Sequence, residues 1–304
     1  MTEYATMRLL QVIDGRGRIR PGVIHGEQAV LVAPDATTGI HDTCGLLAAV
    51  DGRETTIDAW LSRAEQEQRT TRVSWEALTA GEDVDGWRLT IPLTPPEVWG
   101  CGVTYRRSAD FREEGHGFYD GVYDAARPEL FYKASAARSV GPGEPIGRRR
   151  DSNFTAAEPE VALVVSAAGA ILGYTLANDV SAWDIERENP LYLPQSKIYT
   201  GCFSCGPTIV TPDEIANPYA LELTCTVLRG TSEVFSGTAS TAQLKRKFPE
   251  LIRWLRESNS VPTGTILSSG TGIIQPIGSG LEPGDVVTIS CPELGDLINP
   301  VALV

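Results

Sequence analysis

Glu158-Pro159-Glu160 sets two carboxylates two residues apart. In an extended strand, residues i and i+2 project from the same face, so these side chains would stand side by side. Adjacent carboxylates repel unless one is protonated or a cation lies between them. The chain reads on as an apolar run from Val161 to Val165, turns at Ala167-Ala168-Gly169-Ala170, and returns as Ile171 to Asp179. A hairpin centred between Gly169 and Ala170 would set Asp179 directly opposite Glu160, on the same face as Glu158. Three converging carboxylates suit a hard divalent cation, with positions left for a substrate. The competing reading is a solvated strand face, and a one-residue slip would turn Asp179 away. Spacing alone leaves both open.

Lys197 follows Asp179 by eighteen residues, beside Tyr192, Leu193, Ile198 and Tyr199. A lysine desolvated near a cation can give up its proton and act as a base. It can equally snorkel to the surface or pair with an acid. Cys202-Phe203-Ser204-Cys205 has C-x-x-C spacing, but no second such pair exists and no histidine follows it. Packed thiols are the reading favoured over a zinc or redox site.

The elements that must carry these residues divide near residue 92. Residues 7–34 read as strands and turns. Leu46 to Ala49 and Ile57 to Glu67 read as helical, whereas Val73 to Leu78 and Trp87 to Ile91 read as extended. Pro92-Leu93-Thr94-Pro95-Pro96 cannot continue a helix or an inner strand. The expected division is a small domain over 1–92 and a larger one over 93–304. Beyond the seam the pattern is mainly β, with strands at Val161–Val165, Ile171–Thr175, Leu221–Leu228 and Asp285–Ser290. One amphipathic helix is expected from about Thr241 to Arg256. A short helix should end at Asn189-Pro190. Segments 105–128 and 181–200 give no clear element, and long loops in a compact domain are often functional.

Twenty-six basic against thirty-nine acidic residues give a formal charge of −13. Such a surface repels nucleic acid and anionic membrane, so neither is expected as a partner. No basic, apolar leader opens the chain, and no stretch reaches the length of a membrane span. Six scattered cysteines without a secretory signal fit reduced thiols. A cytoplasmic protein is the expectation.

From Pro95 onward the chain resembles the fumarylacetoacetate hydrolase superfamily. The resemblance rests on Gly102-Val103-Thr104-Tyr105, Arg127-Pro128-Glu129-Leu130-Phe131-Tyr132-Lys133, Glu158-Pro159-Glu160, Gly173 to Ser181, Lys197, Gly206-Pro207 and Ser269-Gly270-Thr271, in that order. Within it, Glu188-Asn189-Pro190-Leu191-Tyr192-Leu193-Pro194-Gln195-Ser196-Lys197-Ile198-Tyr199 and Val122-Tyr123-Asp124-Ala125 resemble the 2-keto-3-deoxy-D-arabinonate dehydratase branch. The resemblance implies an α+β, mainly β fold: a mixed β-roll or barrel-like catalytic domain after a small N-terminal α/β domain, assembled as a homodimer or homotetramer. It implies that Glu158, Glu160 and Asp179 bind Mg²⁺, with Mn²⁺ as a substitute, and that Lys197 and Glu129 are the catalytic pair.

Hydrolases and decarboxylases of the superfamily carry a lid histidine three residues after the conserved Tyr, and a glutamate three further on. Here Ser108 and Phe111 hold those positions, and His116, near Glu113 and Glu114, is out of register. The missing dyad favours dehydration over C–C hydrolysis. The implied reaction proceeds through a metal-stabilised enolate: Lys197 takes a carbon-3 proton, Glu129 protonates the hydroxyl leaving carbon 4, and a 2-keto-3-deoxy-pentonate becomes 2,5-dioxopentanoate. Tyr105, Arg106, Gln195 and Thr271 are the substrate-binding candidates, a guanidinium suiting a carboxylate or polyol oxygens. Two other readings stay open. One is an acylpyruvate hydrolase, oxaloacetate-type decarboxylase or isomerase; the other is a non-catalytic 2-oxo-acid binding protein.

Overall fold

Short apolar runs broken by Gly and Pro fold as strands. The computed structural model describes residues 7–35, 37–106 and 118–304. Its N-terminal strands are β1 (Arg8–Asp14), β2 (Ile19–His25), β3 (Gln28–Val32), β4 (Thr70–Ser74) and β5 (Trp87–Leu89). Next come β6 (Val98–Gly102), β7 (Glu129–Ala134), β8 (Ser139–Val140), β9 (Ile146–Arg148), β10 (Thr155–Ala156), β11 (Pro159–Val165) and β12 (Ile171–Asp179). The remainder are β13 (Ser181–Ala182), β14 (Phe203–Val210), β15 (Glu222–Arg229), β16 (Ser232–Ser240), β17 (Thr265–Ser268), β18 (Val286–Cys291) and β19 (Gly295–Leu303).

The large mixed sheet runs β4-β3-β2-β1-β14-β12-β11-β17-β6-β7, with β5 branching from β1 and β8 from β14. A second sheet runs β16-β15-β18-β19-β9, and β10 pairs with β13. The proline-rich linker at 92–96 does not interrupt the large sheet. Arg8 and Leu9 of β1 pair antiparallel with Val210 and Ile209 of β14.

Strand β11 is buried along its whole length. Val161, Leu163 and Val165 enter the core shared with Val227, Ile289 and Leu251, whereas Ala162 and Val164 face the cluster of Leu46, Trp60 and Leu61. A strand covered on both faces reads as continuous apolar sequence rather than alternation. Any carboxylate at its end is therefore enclosed.

The structure corrects three sequence expectations. Val73 to Leu78 is only half extended: β4 ends at Ser74, whose hydroxyl accepts the Ala77 N–H at 3.2 Å and starts the helix Trp75–Thr79. The helix expected from Thr241 begins at Phe248 instead. Pro249 lies in its first turn, where a missing N–H costs nothing, and the chain before it forms a separate turn at Thr241–Gln243. The helix Phe248–Arg256 buries Phe248, Leu251, Ile252 and Leu255 against the sheet.

The third correction is the β11–β12 register. Glu160 pairs with Ala177 and Pro159 with Asn178, while the Asp179 N–H donates to the Glu158 carbonyl at 3.0 Å. Asp179 therefore stands across from Glu158, not Glu160. The turn closes at Ser166 and Ala170, with Gly169 at a φ of 88°, and a bulge lies just before it at Val164/Val165. The pairing is displaced by two residues, and because side chains alternate with period two, Asp179 keeps its face.

Candidate active site

Glu158, Glu160 and Asp179 each offer a carboxylate oxygen within 4.8 Å of the others. They are 3%, 2% and 1% exposed, which removes the solvated-face reading. Each is tied down by its neighbours. The Trp183 indole N–H donates to Glu158 Oε1 at 2.5 Å. The Ser268 hydroxyl and the Gly270 N–H donate to Glu160 Oε2 at 2.5 and 2.7 Å. Lys133 Nζ lies 2.6 Å from Asp179 Oδ1 and donates to the Val180 carbonyl at 2.8 Å. Gly270 holds a φ of 93°, and a Cβ there would come within 2.0 Å of the Thr104 hydroxyl. The close approach of its N–H to Glu160 needs glycine.

Lys197, at the end of the helix Leu193–Lys197, is buried. Its Nζ lies 3.1 Å from both Glu158 Oε2 and Asp179 Oδ2, 2.7 Å from Ser181 Oγ, and 5.0 Å from the centre of the Phe131 ring. The helix expected to end at Asn189 does so, as Trp183–Glu188, and a turn at Pro190–Tyr192 leads into the lysine helix.

Glu129, Phe131 and Lys133 follow one another at two-residue spacing on β7, so they share a face. Gly100 and Gly102 of β6 pair with Phe131 and Glu129. A Cβ on Gly102 would lie 2.0 Å from Glu129 Oε2, and one on Gly100 would lie 2.4 Å from the Phe131 ring. The two glycines clear the space in which the acid and the ring lie. Val103 then reverses the chain at a φ of 52°, an unusual angle for a β-branched residue. A small cleft between these elements is lined by Cys101, Gly102, Val103, Phe131, Glu158, Lys197 and Thr271. A larger open depression near Cys44, Thr94 and Ser135 carries only Asp42 as a carboxylate, and Asp42 caps a helix by accepting the Gly45 N–H. The chemistry belongs to the smaller cleft.

The electrostatics separate the carboxylates. Burial, then the charges of Asp179 and Glu158, push Glu160 well above the ordinary carboxylate range, against the hydrogen bonds from Ser268 and Gly270. Burial would also raise Asp179, but the Lys133 and Lys197 ammonium groups together outweigh it and hold Asp179 below its usual value. A cluster in which one member can ionise only at a cost takes either a proton or a cation. Oxygen donors, enclosure and excess negative charge all fit a hard divalent ion.

Residues 97–302 match the family described as fumarylacetoacetate (FAA) hydrolase C-terminal. The chain belongs to the fumarylacetoacetate hydrolase family. Among its relatives in that family, a 2-dehydro-3-deoxy-D-arabinonate dehydratase of Saccharolobus solfataricus is 46% identical over 240 residues, covering 77% of this chain and 80% of the relative. A protein of Haloferax volcanii named "Probable 2-keto-3-deoxyxylonate dehydratase" is 40% identical over 218 residues, covering 71% and 75%. A solved 2-keto-3-deoxy-D-arabinonate dehydratase complexed with magnesium and 2,5-dioxopentanoate superposes with a TM-score of 0.84 at 38% identity, covering 98% of this chain and 99% of that one. The mainly β architecture, with its N-terminal strands continuing the large sheet, is therefore a fumarylacetoacetate hydrolase fold.

Within this family member, the residues proposed as metal ligands and Lys197 come together, with Glu129 on the strand beside them. The substrate-binding candidates are dispersed. Thr271 lines the cleft, its hydroxyl between the Ile273 N–H and carbonyl at 3.1 and 3.2 Å. Tyr105 is buried in the core, where a Cβ on Gly272 would touch its ring, and burial raises its phenol. Arg106 lies over the Tyr123 ring at 5.4 Å. Gln195 is exposed on the lysine helix, and its carbonyl accepts from Arg149 at 3.0 Å. Ser108, Phe111, Glu113, Glu114 and His116 lie outside the described residues. Cys202 and Cys205 are buried free thiols.

Sequence reasoning missed Lys133 and Trp183. The two-residue spacing that grouped Glu158 with Glu160 also aligns Lys133 with Glu129, so that signal was present. Trp183 carried none, because its position depends on the β10–β13 pairing, which joins Thr155 to Ala182 and Ala156 to Ser181.

Proposed function

We propose that the chain is a Mg²⁺-dependent hydro-lyase that converts a 2-keto-3-deoxy-pentonate of the arabinonate or xylonate type to 2,5-dioxopentanoate. The observation that carries the proposal is a buried lysine at the carboxylate triad, with Glu129 on the neighbouring strand. The 46% identity to an arabinonate dehydratase and the likeness to a dehydratase structure holding magnesium and 2,5-dioxopentanoate support it. Glu158, Glu160 and Asp179 would hold the ion, with Mn²⁺ as a substitute. A bound divalent ion supplies Lewis acidity toward the 2-oxo group and so acidifies the protons on carbon 3.

The chain's own groups do the rest. Lys197 Nζ, an ammonium in the metal-free site, would give up that proton beside the bound cation and then, as the neutral amine, take a carbon-3 proton. Glu129, as the neutral acid, gives its proton to the hydroxyl leaving carbon 4, so that water departs. The Glu129 carboxylate then takes a proton from carbon 5 while the Lys197 ammonium returns its proton to carbon 3, which moves the double bond to carbons 4 and 5. That enol becomes the terminal aldehyde by gaining a proton at carbon 4 as its hydroxyl loses one. Phe131, beside Lys197, keeps water from the base. Lys133 keeps Asp179 oriented and balances its charge. A site that only bound 2-oxo acids would need neither Lys197 nor Glu129.

The proposal extends to a division into a small domain over 1–92 and a catalytic domain over 93–304, and to a cytoplasmic homodimer or homotetramer. Incubation with 2-keto-3-deoxy-D-arabinonate and Mg²⁺, followed by proton NMR, tests the activity. The expected product is 2,5-dioxopentanoate, with acetylpyruvate and fumarylpyruvate left uncleaved. Rapid acylpyruvate cleavage beside inert pentonates would return the site to the hydrolase reading.

A further inference from the structure

Trp183 is the first residue of the helix Trp183–Glu188, immediately after β13. Contacts from several directions fix it. Its backbone N–H donates to the Phe154 carbonyl at 3.0 Å. Its ring meets that of Phe154 edge-on, with centroids 5.5 Å apart and planes at 78°. Ala156 and Ile274 complete a small apolar cluster around it. Its indole N–H reaches Glu158 Oε1 at 2.5 Å. The residue is 3% exposed.

An indole has one donor and no acceptor, so its only polar capacity is spent on this carboxylate. A buried hydrogen bond to an ionised oxygen is short and directional. It fixes the rotation of the Glu158 carboxylate and turns Oε2 toward Asp179 and Lys197. Lys197 Nζ touches that same Oε2 at 3.1 Å. One indole N–H therefore sets which oxygen of Glu158 meets the proposed base.

We propose that Trp183 is a positioning residue of the metal centre, orienting Glu158 for the divalent ion and for Lys197. This rests on the metal reading of the triad. Outer groups that orient a ligand contribute about 10- to 100-fold in metal affinity. An aromatic ring without the N–H would fill the Phe154–Ile274 cluster and remove the indole's hold on Glu158 Oε1, while the Lys197 contact to Oε2 remains.

The test uses the full chain. Mn²⁺ binding is titrated by electron paramagnetic resonance in the wild type and in Trp183→Phe. The dissociation constant is expected to rise about tenfold or more in the variant. Independently of that variant's folding, ¹⁵N-indole spectra of the wild type are recorded as Mg²⁺ is added, and one indole N–H resonance is expected to move. Unchanged Mn²⁺ affinity in a folded Trp183→Phe, or indole resonances that all ignore Mg²⁺ while the wild type binds it, would overturn the role of Trp183 and leave the metal site standing. A wild type that binds neither ion would overturn both.

Discussion

Lys197 and Asp179 are joined by a 3.1 Å contact between Nζ and Oδ2, while the other oxygen of the same carboxylate meets Lys133 Nζ at 2.6 Å. One carboxylate thus sits between two buried ammonium groups with different tasks. Lys133 is enclosed in the sheet and acts as a fixed counter-charge. Lys197 lines the cleft and can reach a substrate.

The fixed counter-charge gives the first prediction. Lys133→Met keeps the length of the side chain and removes its charge. It would leave Asp179 Oδ1 and the Val180 carbonyl without the ammonium donor. Breaking a buried ion pair by removing one partner costs about 3–5 kcal/mol. Urea denaturation without divalent ion should read a loss of that order. A loss below about 1 kcal/mol, the usual worth of an exposed pair, would mean the pair is unimportant to the fold.

The triad gives the second. Chelator should abolish turnover, and Mg²⁺ or Mn²⁺ should restore it. The folded-state pKa of Glu160 lies above its ordinary value, so the folded metal-free chain holds that proton more tightly than the unfolded chain. Its contribution to stability is present below pH 4.5 and is lost as the pH rises through the raised value. Asp179, whose pKa is depressed, contributes in the opposite direction, above pH 3.8. Divalent ion should therefore stabilise most at neutral pH, by about 2.7 kcal/mol at a hundred times its dissociation constant. Its affinity should weaken as the pH falls, because a proton competes for Glu160. Thermal melts with and without Mg²⁺ at several pH values measure this, and a melting temperature indifferent to Mg²⁺ at neutral pH would count against the site.

Glu129 gives the third. Gly102→Ala would bring a Cβ to 2.0 Å from Glu129 Oε2 and force the acid aside. Misplacement of a reacting group by about 1 Å can cost about 10²-fold. Turnover should fall by that order while Mn²⁺ affinity stays within about twofold, since Glu160 and Asp179 lie on β11 and β12 and Glu158 just before β11. Steady-state kinetics beside a metal titration distinguishes this from general damage, which would weaken both.

Much of the site was legible in the sequence because its geometry is short-range. Glu158 and Glu160 share a face by strand periodicity alone, and Asp179 needed only the right parity in a hairpin, which survived a two-residue error in register. The apolar run at 161–165 announced a strand, but burial on both faces became visible only when the second sheet and the N-terminal helices closed over it. Local spacing aligned Lys133 with Glu129 but could not place either at the triad, which depends on the pairing of β7 with β6, and Trp183 reaches it through the β10–β13 pairing, where local pattern carries little information. Gln195 shows the converse: two positions before Lys197 on the same helix, it lies on a different side and is exposed.

The base itself offers the most direct test. 2-Oxobutyrate has carbon-3 protons and no hydroxyl to lose, so exchange in D₂O isolates proton abstraction from elimination. With Mg²⁺, the wild type should place deuterium at carbon 3. Lys197→Ala should exchange about 10²- to 10⁴-fold more slowly, the span of a general base, while still binding the 2-oxo acid. Lys197→Arg should be nearly as slow, because a guanidinium keeps its proton. Exchange at the wild-type rate in either variant would contradict the assignment of Lys197 as the group that takes the proton.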